Sequence, residues 1–174
     1  QMAQGLMIGL SLCLLVYSLS HGLTMRDGAY VFYAMSVGAI GLFFMAYHGL
    51  AAQYLWDDHE WLRRNAAPLM IFPGVIGGLL FLSKVLEVPS LSPRLSKAMS
   101  AGVVAAVLAG AAFVLGVMDY RGAHLAGTLL GPLPFVLGLP AAFMRARQGD
   151  RAAMYILAGW AAYAVGIFTM ALFL

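Results

Sequence analysis

The chain of 174 residues is 63% hydrophobic and only 10% charged, with a mean hydropathy of +0.88. Soluble domains average roughly half apolar and a quarter charged, so these residues cannot cover themselves with a water-facing surface. That excludes a soluble globular domain. In a lipid-embedded chain, the formal charge of +3 reports where basic loops sit rather than a nucleic-acid partner.

A helix needs roughly 20 mostly apolar residues to cross the hydrocarbon, and six stretches qualify. The first, 5–25, holds the lone cysteine, Cys13; its apolar setting predicts a buried, inert thiol, and one cysteine forms no intrachain disulfide. After "RDG" comes the second stretch, 30–53. The acidic segment "WDDHEWLRR" follows, where Trp56 and Trp61 flank the carboxylates and suggest a short helix lying at the headgroup level. The third and fourth stretches are 66–88 and 98–118. The fifth, 124–144, contains Pro132, Pro134 and Pro140; each lacks a backbone donor and clashes with the preceding turn, so this helix should kink and is a candidate hinge. The sixth is 152–174. The expectation is one all-α transmembrane domain over 1–174, a polytopic up-down bundle joined by short loops.

Small residues recur four apart at Gly5 and Gly9, Gly74 and Gly78, Gly102 with Ala106 and Gly110, and Gly127 and Gly131. In lipid, such spacing lets helix backbones approach and pack.

The charges divide by side. Arg26, Lys84, Arg94, Lys97, Arg145, Arg147 and Arg151 fall at one end of the bundle, whereas Arg63, Arg64 and Arg121 share the other with Asp57, Asp58, Glu60 and Asp119. The basic bias puts the first end in the cytoplasm and the N-terminus outside, with a bacterial inner membrane as the expected location. After six spans the C-terminus would also lie outside. A start at Gln1 and an end within an apolar run reads as part of a larger chain.

Chemistry is sparse. No stretch has an ionisable residue near its middle, which argues against a proton-coupled carrier; Lys84 lies near a span end and can snorkel to the headgroups. His21 and His48 fall at opposite ends and cannot share a haem. His48, His59 and His124 do share an end with Asp57, Asp58 and Glu60. That is a weak set of candidates for a divalent cation or a proton sensor, since imidazole and carboxylate suit both but the spacing matches no metal motif. No catalytic motif is present, and neither enzyme activity nor a cofactor is expected. A transporter or channel is the alternative reading. It would have to line its path with Ser11, Tyr17, Ser36, Thr128, Tyr163 and Thr169, scattered hydroxyls that in helices more often bond their own backbone.

The first two stretches carry a recognisable pattern in "GLMIGLSLCLLVYSLSHGLTMRDGAYVFYAMSVGAIGLFFMAYHGLAAQYLW". The glycine-opened first helix leads to an Arg26-Asp27 loop, then Tyr30 and Phe32-Tyr33-Ala34; the second helix ends in Gly49, with Gln53, Leu55 and Trp56 in the outer loop. This resembles the membrane domain of bacterial seven-transmembrane receptors with diverse intracellular signalling modules (7TMR-DISM). Beyond roughly the first third, the likeness lies in hydropathy and loop length. The resemblance implies a receptor whose extracytoplasmic sensor domain is linked through the membrane helices to a histidine kinase, a diguanylate cyclase or another output module, and which works as a homodimer. It implies no catalytic residue in the membrane part, and a seventh helix beyond the six counted here.

Overall fold

The computed structural model describes the backbone of residues 2–56 and 58–173, and the side chains of residue 5 and of residues 8–56 and 58–162. The regular structure among them is helical: α1 Met2–Met25, α2 Gly28–Tyr47, α3 Leu50–Tyr54, α4 Glu60–Val85, α5 Val88–Leu91, α6 Pro93–Val114, α7 Tyr120–Leu130, α8 Leu133–Arg147 and α9 Arg151–Phe173. Among the described residues, five segments are long and apolar enough to cross a membrane, namely Ile8–Met25, Gly28–Tyr47, Glu60–Val85, Pro93–Val114 and Tyr120–Arg147. The sixth expected span falls on α9, whose later side chains lie outside the described residues. The all-α polytopic bundle read from hydropathy is the fold observed.

Local chemistry sets the helix ends. The Asp27 carboxylate accepts the Ala29 N–H at 3.0 Å and opens α2. Asp119 does the same for Gly122 at 2.8 Å and opens α7. Ser92 and Pro93 start α6 five residues before the expected span, because a capping hydroxyl and a proline at the first helical position favour initiation there. Gly116, at φ 73°, ends the same helix early. Gly49, at φ 75°, splits the expected second span into α2 and α3.

The helix α4 is the centre. It packs on α2, α6, α7 and α8, while α1 packs on α2 and α9 on α8. Of its spanning window 44% is buried, against 11% for α1. The reason is steric. A β-carbon at Gly77 would stand 2.7 Å from the Ser36 nitrogen and 2.8 Å from the Phe32 carbonyl oxygen, so α2 and α4 touch backbone to backbone. Three residues earlier, the Ser36 hydroxyl donates to the Gly74 carbonyl at 3.1 Å and joins the same two helices. From α4 itself Phe72, Leu79 and Leu82 are buried, and Leu86, Met99, Ala106, Ala141 and Ala142 are buried beside it.

Gly102, Gly110 and Gly127 do sit against neighbouring side chains: Leu79, Phe72 and Ile71 respectively. Gly5 and Gly9 do not, having nothing within 4 Å; they lie on α1, which among the described residues packs chiefly on α2. Cys13 is likewise exposed rather than buried, on a helix with little of its spanning segment covered.

Where the kink is expected, α7 ends at Leu130 and α8 begins at Leu133, with Gly131 and Pro132 between them in right-handed helical conformation. Pro132 and Pro134 remove two donors within one turn, whereas Pro68 and Pro73 lie in separate turns of α4 and leave it a single helix. Pro134 rests against α4, its Cγ 3.3 Å from where a β-carbon on Gly78 would be.

Candidate functional site

At the end of the bundle holding Arg26 and Lys84, acidic and basic side chains from separate hairpins meet. Asp27, on the α1–α2 turn, pairs with Lys84 in the last turn of α4 at 2.9 Å. The Ala29 N–H, and then the Lys84 ammonium, hold the Asp27 carboxyl below its ordinary value of 3.8. Gly28 leaves the space this needs, since the Lys84 Nζ lies 3.1 Å from its absent β-carbon.

One helical turn beyond Lys84, the chain leaves α4 through Glu87, which adopts φ 45° and ψ 47°. This left-handed conformation is uncommon for a residue with a side chain. The corner is held by the Ser90 hydroxyl, which donates to the Glu87 carbonyl at 2.8 Å. The Glu87 carboxylate receives the Arg145 guanidinium from the end of α8. Arg145 is the best-buried charged group here, its side chain 21% exposed. Each of its three nitrogens has a different partner: Nη2 meets Glu87, Nε meets Asp150 at 3.2 Å and Nη1 meets the Gln148 amide oxygen at 3.2 Å. Asp150 in turn accepts the Ala152 N–H at 2.8 Å and opens α9. Arg147 lies 4.5 Å from the centre of the Phe143 ring. Three connections that are far apart in sequence are thus joined by charge. Counting the basic residues located this end, but gave no sign that Asp27, Glu87 and Asp150 bind them across elements.

At the opposite end the ion pair among the described residues is local. Glu60 pairs with Arg64 one turn along α4 at 2.6 Å. His124 stacks on Tyr120 within α7, and His48 stacks on Phe44 within α2. Asp57 lies outside the described residues. Among the described residues no three of His, Cys, Asp and Glu gather as a metal would require, so the structure does not bring His48, His59, His124, Asp58 and Glu60 into one site. The short interfacial helix expected around Trp56 and Trp61 is not formed. Helix α3 ends before Trp56, and α4 begins early enough to take Trp61, which packs on Phe113 with ring centres 6.0 Å apart.

Among the described residues, the polar side chains considered for a transport path do not line one. Ser36 bonds to Gly74, Thr128 donates to the His124 carbonyl at 2.9 Å, and Tyr17 leans on His21 from an exposed position; Tyr163 and Thr169 lie outside the described side chains. Ser11 borders a small apolar cavity of about 120 Å³ between α1 and α2, shared with Ile40, Phe44 and His48. His21, beside Tyr30, lies at the end remote from His48, as expected.

The profile of the family described as 7TM diverse intracellular signalling matches residues 1–174. The chain belongs to that family. No characterised protein and no solved structure shows a significant match. Membership in the 7TM diverse intracellular signalling family, with the apolar helices, makes this a multi-pass membrane protein of a sensor and signalling class. The resemblance read from the α1–α2 region is therefore upheld over the whole length.

Proposed function

We propose that these helices relay an extracytoplasmic ligand signal to a cytoplasmic output module, a histidine kinase or a diguanylate cyclase, by changing their arrangement. The basic end faces the cytoplasm on this reading and the N-terminus lies outside the inner membrane. The observation that carries it is the cross-element charge network at the basic end, where a displacement of any one hairpin is felt by the other two. Signal transfer of this kind needs two arrangements that ligand or partner binds unequally. The break at Pro132 and Pro134, with Pro140 below it, is the hinge, and its contact with Gly78 puts it against the central helix. The catalytic work belongs to the attached module, and the receptor acts as a homodimer.

The test uses the intact protein in membranes, reading phosphoryl transfer or cyclic dinucleotide synthesis. A Pro132→Ala/Pro134→Ala variant restores two backbone donors and should shift output about threefold, the response to a bias of about 0.7 kcal/mol in a two-state equilibrium. Unchanged output, together with solute flux through reconstituted wild-type protein, would favour the transporter reading. Alkaline phosphatase fused at Gly116 should be active and at Gly149 inactive.

A further inference from the structure

We propose that Glu87 and Arg145 form an ionic latch that sets the balance between the two arrangements of the relay, with Lys84–Asp27 as its second clasp. The inference rests on the relay reading above and adds what holds the helices in one arrangement. Arg145 has two kinds of carboxylate partner. Asp150 is five residues away in the same α8–α9 turn and moves with Arg145. Glu87 is 58 residues away, on the corner leaving α4. When α4 moves against α8, Asp150 stays with the guanidinium and keeps it from being stranded, while the Glu87 contact opens. A partly buried cation with one permanent and one releasable partner can switch at small cost, since loss of all partners would leave a charge poorly solvated.

Glu87 is suited to release. Its side chain is 64% exposed, so its carboxylate exchanges Arg145 for water. Its backbone is left-handed without being glycine, a conformation that persists where surrounding contacts impose it. Lys84, one turn earlier on α4, ties the same helix end to Asp27 on the α1–α2 turn. A shift of α4 therefore acts on both clasps together and couples the first hairpin to the last.

The experiment measures structure and output separately in the intact protein, with Cys13→Ala and spin labels at Ser90→Cys and Arg151→Cys. The variants are Glu87→Gln, Arg145→Gln and their combination, with Arg147→Gln as a control. Opening of the latch predicts a longer or broader label distance in both single variants and no further change in the double. Basal output should shift about two- to fivefold in the same sense in all three, the scale of one partly exposed ion pair, and remain unchanged in Arg147→Gln. Additive effects of the two single changes, or distances matching the parent, overturn the latch. In that case the Pro132→Ala/Pro134→Ala result still decides the relay. Altered distances with output constant in all three overturn the coupling of the latch to signalling.

Discussion

The two ends of this bundle are built from the same residue types and differ in how far their charges reach. At the basic end, Asp27 meets Lys84, and Glu87 meets Arg145, across separate hairpins. At the other end, Glu60 meets Arg64 one turn away, and the described histidine stacking of Tyr120 with His124 is also a single turn apart. A pair within one helix steadies that helix and no more. A pair between helices reports and constrains their relative position. On the proposed relay, the sign of a loop would indicate its side of the membrane, and the sequence separation of its partners would indicate whether a motion there is felt by other helices.

Substitutions can break this contrast, starting with the contact on which both ends depend. Gly77→Ala drives a β-carbon into the backbone of Ser36 and Phe32 and should destabilise the protein by about 1–3 kcal/mol, the usual cost of overpacking. Detergent-titrated unfolding followed by circular dichroism measures it, and a loss below about 0.5 kcal/mol would deny the backbone contact. Next, Arg145→Ala should cost about 1–2 kcal/mol by leaving Glu87 and Asp150 without their shared cation. The matched Arg64→Ala should stay within about 0.5 kcal/mol because both partners are largely solvated. Equal losses in the same assay would erase the difference between the ends.

Acidity sharpens the comparison. The folded Asp27 carboxyl titrates below its ordinary 3.8, so its stabilising contribution is complete above that pH and disappears as pH falls through the lowered value. Melting temperatures compared between neutral pH and pH 3 should fall less in Asp27→Asn than in the parent protein. An identical fall would mean that Asp27 has no favoured charged state. The smallest effect is expected at Gly9→Ala, which enters open space on α1 and should change stability by less than about 0.5 kcal/mol in the same melts.

Much of the fold is legible in the residues, because a lipid solvent forces apolar stretches of fixed length and leaves charge for the turns. The proline break was legible for the same reason of simple sterics. Other features depend on which face a helix turns to its neighbour. Spacing singled out Gly74 and Gly78, yet the closest approach is at Gly77, a difference of one residue, or about 100° around α4. Cys13 was expected inside because its neighbours are apolar, but on an edge helix apolar residues face outward. The latch pairs 87 with 145, and no local pattern links positions so distant. Trp61 joined α4 because Phe113, on another helix, offered it a surface.

The contact at Gly77 also makes α4 a lever. Seven residues separate this pivot from Lys84, a span of about 10 Å at the ordinary helical rise. A tilt of α4 by about ten degrees around the pivot therefore carries the Lys84 end sideways by about 2 Å. That stroke is enough to part an ion pair whose atoms start 2.9 Å apart. On the proposed relay, a close backbone approach in the depth of the membrane would set the gearing between a slight rotation and the making or breaking of contacts at its surface.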